Sequence, residues 1–415
     1  MISLSSLYPR LEAEFSKVKG RQACFEDTTE FEGYPGHVYS VNVYTGYFTV
    51  NVNGAIVVPP SVFGHYLIVV TSGPMNVTTR SLSQILGCVY AIDLQDGKVV
   101  WKDVFPNQIM TQPLVIGDVV IVGLGNNQFL NSSIRGTGVN AIVALNATNG
   151  QVLWNFTTLG EDMPTPAYYD KEIVEANGNG CVFALNLSGK VVWKYYIGSY
   201  VSMSSPLLVE DQIFFGSANP YVFWSFNVTT GKPIWDVNFT LMYPNETIHG
   251  LDDSSPAYYD GVVVTGYTVV VNCTEVMNYV VGINATDGNV IWRNFAGYGP
   301  LPPNMESPPL VVYRGAAYYD TPSTGCLYAI NVSNGAVLWK YHTGPTPSNV
   351  DVVDGMVLIQ NGTGTLFVLS QHGTLIKEIQ LKAMPGAGNL LVTDNSVVVV
   401  GVNGEVQAIP INVVL

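Results

Sequence analysis

The sequence predicts an all-β chain: an eight-bladed β-propeller of four-stranded antiparallel blades, its ring closed by an N-terminal strand that joins the last blade. Three observations lead there. A hairpin ending in tryptophan recurs along the chain, a second apolar motif precedes each hairpin, and the last repeat lacks a strand that the N-terminal region supplies.

The hairpin is the clearest signal. "VYAIDLQDGKVVW" ends at Trp101, "IVALNATNGQVLW" at Trp154 and "VFALNLSGKVVW" at Trp193. "VFWSFNVTTGKPIW" ends at Trp235, "VVGINATDGNVIW" at Trp292 and "LYAINVSNGAVLW" at Trp339. An alternating apolar run makes one strand, and Asn or Asp followed by Gly makes the turn. The second run ends in a broad aromatic plate. A degenerate copy, "LFVLSQHGTLIK", reaches Lys377 without the tryptophan, and a half copy, "GEVQAI", ends near Ile409.

The preceding motif is a proline, an apolar run, a Gly or Asp turn and another apolar run. Examples are "PSVFGHYLIVV" from Pro60, "PLVIGDVVIVG" from Pro113, "PAYYDKEIV" from Pro166 and "PAYYDGVVVTG" from Pro256. Together the motifs make units of four short strands over about 40 to 55 residues, the period of a propeller blade. The eighth unit has three strands after Leu390. "TGYFTVNV", which places Phe48 near the tryptophan position, is the expected fourth. Residues 38–415 are thus read as one propeller and residues 1–37 as an N-terminal arm, with a short helix expected from Pro9 to Gly20.

The pattern A-[IL]-[DN]-x-x-[TSN]-G-x-x-[LIV]-W resembles the repeat of the quinoprotein, or PQQ-like, β-propellers, from about residue 40 onward. That family includes quinone-dependent dehydrogenases, assembly scaffolds and surface proteins, so the resemblance speaks for fold more than for function. It implies, for an enzyme, pyrroloquinoline quinone on the axis with calcium, a catalytic aspartate and a vicinal cysteine pair. Cys24, Cys88, Cys181, Cys273 and Cys326 are all separated, and no CxxCH haem motif exists. Cys88, Cys181 and Cys326 recur at one repeat position and are read as small buried apolar residues. A Cys24–Cys273 bridge is the lesser alternative. His37, His65, His249, His342 and His372 form no nucleophile or zinc pattern. No catalytic residue and no cofactor are therefore expected, with PQQ plus calcium, or copper, as the minor alternatives.

Composition narrows the class. The net charge of −14 argues against nucleic acid, since no basic patch exists to meet phosphates. No apolar run approaches the roughly 20 residues of a membrane helix. "MISLSSLYPRLEAEFSKVKG" lacks the basic start and apolar centre of a secretory signal. Yet Asn-x-Ser/Thr sequons begin at Asn76, Asn131, Asn146, Asn155, Asn186, Asn227, Asn238, Asn245, Asn272, Asn284, Asn331 and Asn361. Chance would give roughly four, so a glycosylated extracellular or cell-surface protein is expected. Scarce Lys and Arg suit an acidic or hot exterior.

Two features exceed the repeat. Met110, Met163, Met203, Asp253 and Met305 each stand three residues before a first-strand proline. Pseudo-symmetry predicts that they ring one mouth of the axial channel, as a flexible apolar plug, a partner surface or a soft-metal site. Carboxylates on that face are Glu161, Asp162, Asp252, Asp253, Glu306 and Asp351, with Asp252 and Asp253 the weak candidates for a hard cation. The commonplace reading of that pair is a solvated loop. The "NxTxG" turns fall on the opposite face and hold five sequons. The methionine face also carries the long second-to-third strand loops, where binding is expected.

The functional expectation is an extracellular, non-catalytic surface or assembly scaffold. It would bind protein or glycan at the long-loop face and self-associate through the N-terminal arm. The alternatives are a PQQ-dependent dehydrogenase with a reduced site and a copper-binding surface protein.

Overall fold

A computed structural model describes residues 48–415, apart from 74, 77–80, 83–85, 127–135, 301–308, 322, 345–348 and 384–389. The N-terminal arm, Cys24, Met305 and Glu306 lie outside the described residues. Alternating apolar runs punctuated by glycine and Asx turns form eight antiparallel blade sheets, beside a two-stranded ribbon of Met75–Asn76 and Ser81–Leu82. Blade one is typical: Ser61–Phe63, Tyr66–Thr71, Gly87–Asp93 and Val99–Phe105, paired in chain order. The three-residue first strands of neighbouring blades touch one another and line the axis.

The first turn of each blade must reverse the chain between twisted strands, which favours left-handed backbone at both central residues. Asp260 and Gly261 adopt φ 46° and 83°, and Asp170 and Lys171 adopt 43° and 67°. The second and third strands are almost wholly buried, whereas the outer strands alternate between exposed and half-buried residues.

The tryptophans join blade to blade. Each of the six strand-end indole N–H groups donates to a backbone carbonyl of the next blade's third-to-fourth strand turn: Trp101 to Ala147 at 3.0 Å, Trp154 to Leu187 at 2.9 Å, Trp292 to Val332 at 2.7 Å. The same turn's glycine lies on the ring. A β-carbon at Gly150 would come within 2.5 Å of Trp101, and one at Gly231 within 2.3 Å of Trp193.

The ring closes as the repeat count requires. Phe48–Asn51 pairs antiparallel with Glu405–Pro410, in the register Phe48 to Ala408. Lys377, which stands where blade seven lacks its tryptophan, donates from Nζ to the Val413 carbonyl at 2.7 Å. A different polar bond thus ties blade seven to the short C-terminal helix Ile411–Val414.

Blade five departs from the four-strand expectation. Its central hairpin is lengthened to Val262–Asn272 and Glu275–Asn284, and a fifth strand, Thr247–His249, pairs with the extension. That strand comes from a longer connection that includes the helix Phe239–Met242, which Asn238 caps through Leu241 N at 3.0 Å. The cysteines also divide. Cys88 is buried, but Cys181 and Cys326, at the equivalent register of their blades, are half-buried.

Candidate functional site

Strand direction sorts the loops. Connections from fourth strand to next first strand, and the second-to-third strand loops, emerge at one end of the propeller. The other turns emerge at the opposite end. The first end holds the buried polar chemistry.

The connections between blades are linked by a hydroxyl belt. The Gln112 N–H donates to Thr165 Oγ1 at 3.1 Å, the Thr165 N–H to Ser205 Oγ at 2.9 Å, and the Ser205 N–H to Ser255 Oγ at 3.0 Å. Each residue directly precedes a first-strand proline, which has no N–H of its own to give. A second set binds the second strands of blades two, four and five. Thr111 Oγ1 accepts from Gly123 N at 3.0 Å and donates to the Asp162 carbonyl at 3.0 Å. Ser204 Oγ repeats this with Gly216 N at 2.9 Å and the Ser254 carbonyl at 2.8 Å. The approach requires glycine: a β-carbon at Gly123 would lie 2.0 Å from the Asp162 carbonyl oxygen.

Three of the predicted mouth residues come together. Met110 and Met163 are buried in one apolar cluster with Val57, and Met203 packs against it half-buried. Asp253 is half-buried in the turn that follows Gly250. Asp252 is not in a solvated loop. It is buried, and its carbonyl accepts from the N–H groups of Met203 and Ser204 at 2.9 and 2.8 Å. Among the described residues no three His, Cys, Asp or Glu side chains form a metal-holding group.

The buried charges at this end are all acids. Glu161, Asp162, Glu175, Asp252, Asp320 and Asp351 are buried, and no described Lys or Arg is. Burial pushes the Asp162 carboxyl up to about 8, against the pull of Thr158 Oγ1 and of Asn177 Nδ2 at 3.1 Å and with the help of nearby Glu161. Burial holds Glu175 well above the carboxylate range, and Asp162 adds to it. Neither Glu175 carboxyl oxygen has a hydrogen-bond partner among the described residues. Burial raises Asp351 to about 7, opposed by the Val352 N–H at 2.9 Å and by the Val392 N–H. It raises Asp320 strongly as well, with the Thr321 N–H opposing. These groups are neutral carboxylic acids in acidic solution.

Sequence reasoning named Glu161, Asp162 and Asp351 but missed Glu175 and Asp320. Glu175 falls in "EIVEA", where alternation puts it on a buried face. Asp320 is the fifth residue of its second strand, where blades two, four and five have Gly123, Gly216 and Gly266. That substitution in register was the available signal.

Pyrroloquinoline quinone is a tricarboxylate, and the described buried ionisable groups at this end are acids, with no buried Lys or Arg among the described residues to pair with it.

Comparison with known proteins agrees with this architecture. The family model described as outer membrane protein assembly factor BamB matches residues 55–235, 138–296 and 253–408. The tetrathionate hydrolase of Acidithiobacillus ferrooxidans is 32% identical over 273 residues, covering 61% of this chain and 54% of that protein. The match thus spans about half of that relative's length. The tetrathionate hydrolase of Acidianus ambivalens is 26% identical over 400 residues, covering 87% of this chain and 74% of that protein. The crystal structure of BamB from Moraxella catarrhalis superposes with a TM-score of 0.61 at 16% identity, over 88% of this chain and 99% of that one, and shares the fold. Family model, repeat and blade topology together show that the chain belongs to the PQQ-like repeat propellers whose model bears the BamB description.

Proposed function

We propose that this propeller hydrolyses tetrathionate or a closely similar polythionate, in an acidic extracellular setting. The observation that carries the reading is the 32% identity to one tetrathionate hydrolase, joined by a second match across 87% of the chain. The chemistry of the buried acids supports it. Tetrathionate is a dianion, and ionised Asp162, Glu175, Asp320 and Asp351 would give this end of the propeller a repelling negative potential. Protonated, they remove that negative potential. In the simplest hydrolysis, water adds to a sulfane sulfur, the central S–S bond breaks, and thiosulfate leaves. The other half becomes HOS–SO3−, with one proton released. No electron acceptor is needed.

The test is to incubate the folded protein with tetrathionate from pH 3 to pH 9 and measure thiosulfate. Release in acid, falling as pH rises through 7 to 8, is expected without any added cofactor. No thiosulfate above a protein-free control at any pH sinks the reading.

A second reading, an assembly scaffold that binds protein at the long-loop face, is favoured by the family description and the Moraxella structure. A chain with no turnover that recovers a defined partner from its own cell envelope would support it. No described helix is long and apolar enough to cross a membrane.

A further inference from the structure

We infer that Asn146, Asn186, Asn284 and Asn331 carry N-linked glycans, arrayed on the face opposite the buried acids. Each ends the third strand of its blade, in blades two, three, five and six, at the same point of the turn. Each uses its side-chain oxygen to hold the turn. Oδ1 accepts the N–H of Thr148, Ser188, Thr286 and Ser333 at 2.9, 3.0, 2.8 and 3.0 Å. In none of the four does Nδ2 donate a hydrogen bond among the described residues, so there the nitrogen that a sugar would join is unengaged.

The turn itself does not require this motif. In blade one Asp93 does the same work, accepting the Gln95 N–H at 2.7 Å, with no hydroxyl two residues on. The hydroxyls of Thr148 and Thr286 bond to nothing among the described residues. Those of Ser188 and Ser333 donate to Oδ1 of Asn186 and Asn331 at 2.8 and 2.7 Å, but the turns of blades one, two and five form without such a bond, so asparagine with a hydroxyl at this spacing exceeds the needs of the turn and matches those of a glycosyl transfer.

The structure also separates these four from two of the other sequons. Asn361 is buried and donates Nδ2 to the Thr343 carbonyl at 2.9 Å. Asn227 donates Nδ2 to Asp211 Oδ2 at 3.0 Å. A sugar at Asn361 would have to displace packed core, so that sequon is excluded. Asn131 and the side chain of Asn76 lie outside the described residues.

The transfer needs an oligosaccharide on a polyisoprenyl phosphate or pyrophosphate. A bond forms from Asn Nδ2 to the sugar's C1, the C1–O bond to phosphate breaks, the amide loses one proton, and the lipid phosphate leaves. The proposal does not depend on the hydrolytic reading.

The test is peptide mass mapping of the protein purified from its own cells. Glycan mass on the four peptides, with Asn361 unmodified, is the expected result. Four bare peptides, or a stoichiometric glycan on Asn361, would overturn the inference. Thr148→Val in the same cells should remove the mass from Asn146 alone and leave the fold unchanged. A mass that persists at Asn146 in that variant would also count against it.

Discussion

The side chain of Phe48 lies against Gly97: a β-carbon there would stand 2.7 Å from Phe48 Cδ2. This contact joins blade eight to blade one and repeats the Trp101–Gly150 contact between blades one and two. Phe48 is therefore the eighth blade's version of the tryptophan plate, supplied from the other end of the chain.

Phe48→Ala should destabilise the fold by about 3 to 5 kcal/mol, the range for a buried phenylalanine. Urea unfolding measures it. A midpoint unchanged from wild type would show that the closing strand does not hold the ring.

Glycine at the turn answers two demands, and two variants separate them. Gly150 has φ 77° and would touch Trp101, whereas Gly64 has φ 58° with nothing within 4 Å. Gly64→Ala should cost only the left-handed backbone term, about 1 to 2 kcal/mol. Gly150→Ala should cost distinctly more, because the indole must move. Equal losses would mean that the Trp–Gly contact contributes nothing beyond backbone conformation.

The buried acids predict a fold that prefers acid. Each has a folded pKa above its unfolded value of about 4, so the folded state binds more protons. Their stabilisation is full below that value. It is lost as pH rises through about 7 for Asp351 and about 8 for Asp162. Thermal unfolding should show the highest melting temperature near pH 3 to 4 and a fall of several degrees, on the order of a few kcal/mol, by pH 9. Asp162→Asn, which cannot ionise, should flatten that decline. A melting temperature that rises with pH across this window would contradict the assignment.

Arg293 is held by shape as well as charge. Its guanidinium lies 3.7 Å from the Tyr279 ring centre and 4.2 Å from that of Tyr243, and bonds Glu246 through Nη1 at 3.0 Å and Nη2 at 2.5 Å. Arg293→Lys keeps the charge but loses the planar fork, so a loss of about 1 to 2 kcal/mol is expected. Calorimetric unfolding that matches wild type would show that charge alone suffices.

The blades were legible because their signals are local. Two-residue alternation, an Asx–Gly turn and a terminal tryptophan each act within a dozen residues, and six intact repeats average out the exceptions. Even the missing fourth strand was visible, since "TGYFTVNV" had no other place in the count. The fifth strand of blade five was not. Thr247–His249 is short and polar at both ends, and it forms only because the neighbouring hairpin is long enough to pair with it.

The sequence by itself determined the number of blades, the faces on which the loops emerge and the turns that bear the sequons, because each follows from periodicity. Only the tertiary structure decided which carboxyls are acids held neutral. Asp162 and Glu175 look like any other carboxylates in the chain. Their proton affinity arises where segments more than ten residues apart exclude water from both, and no local pattern records that.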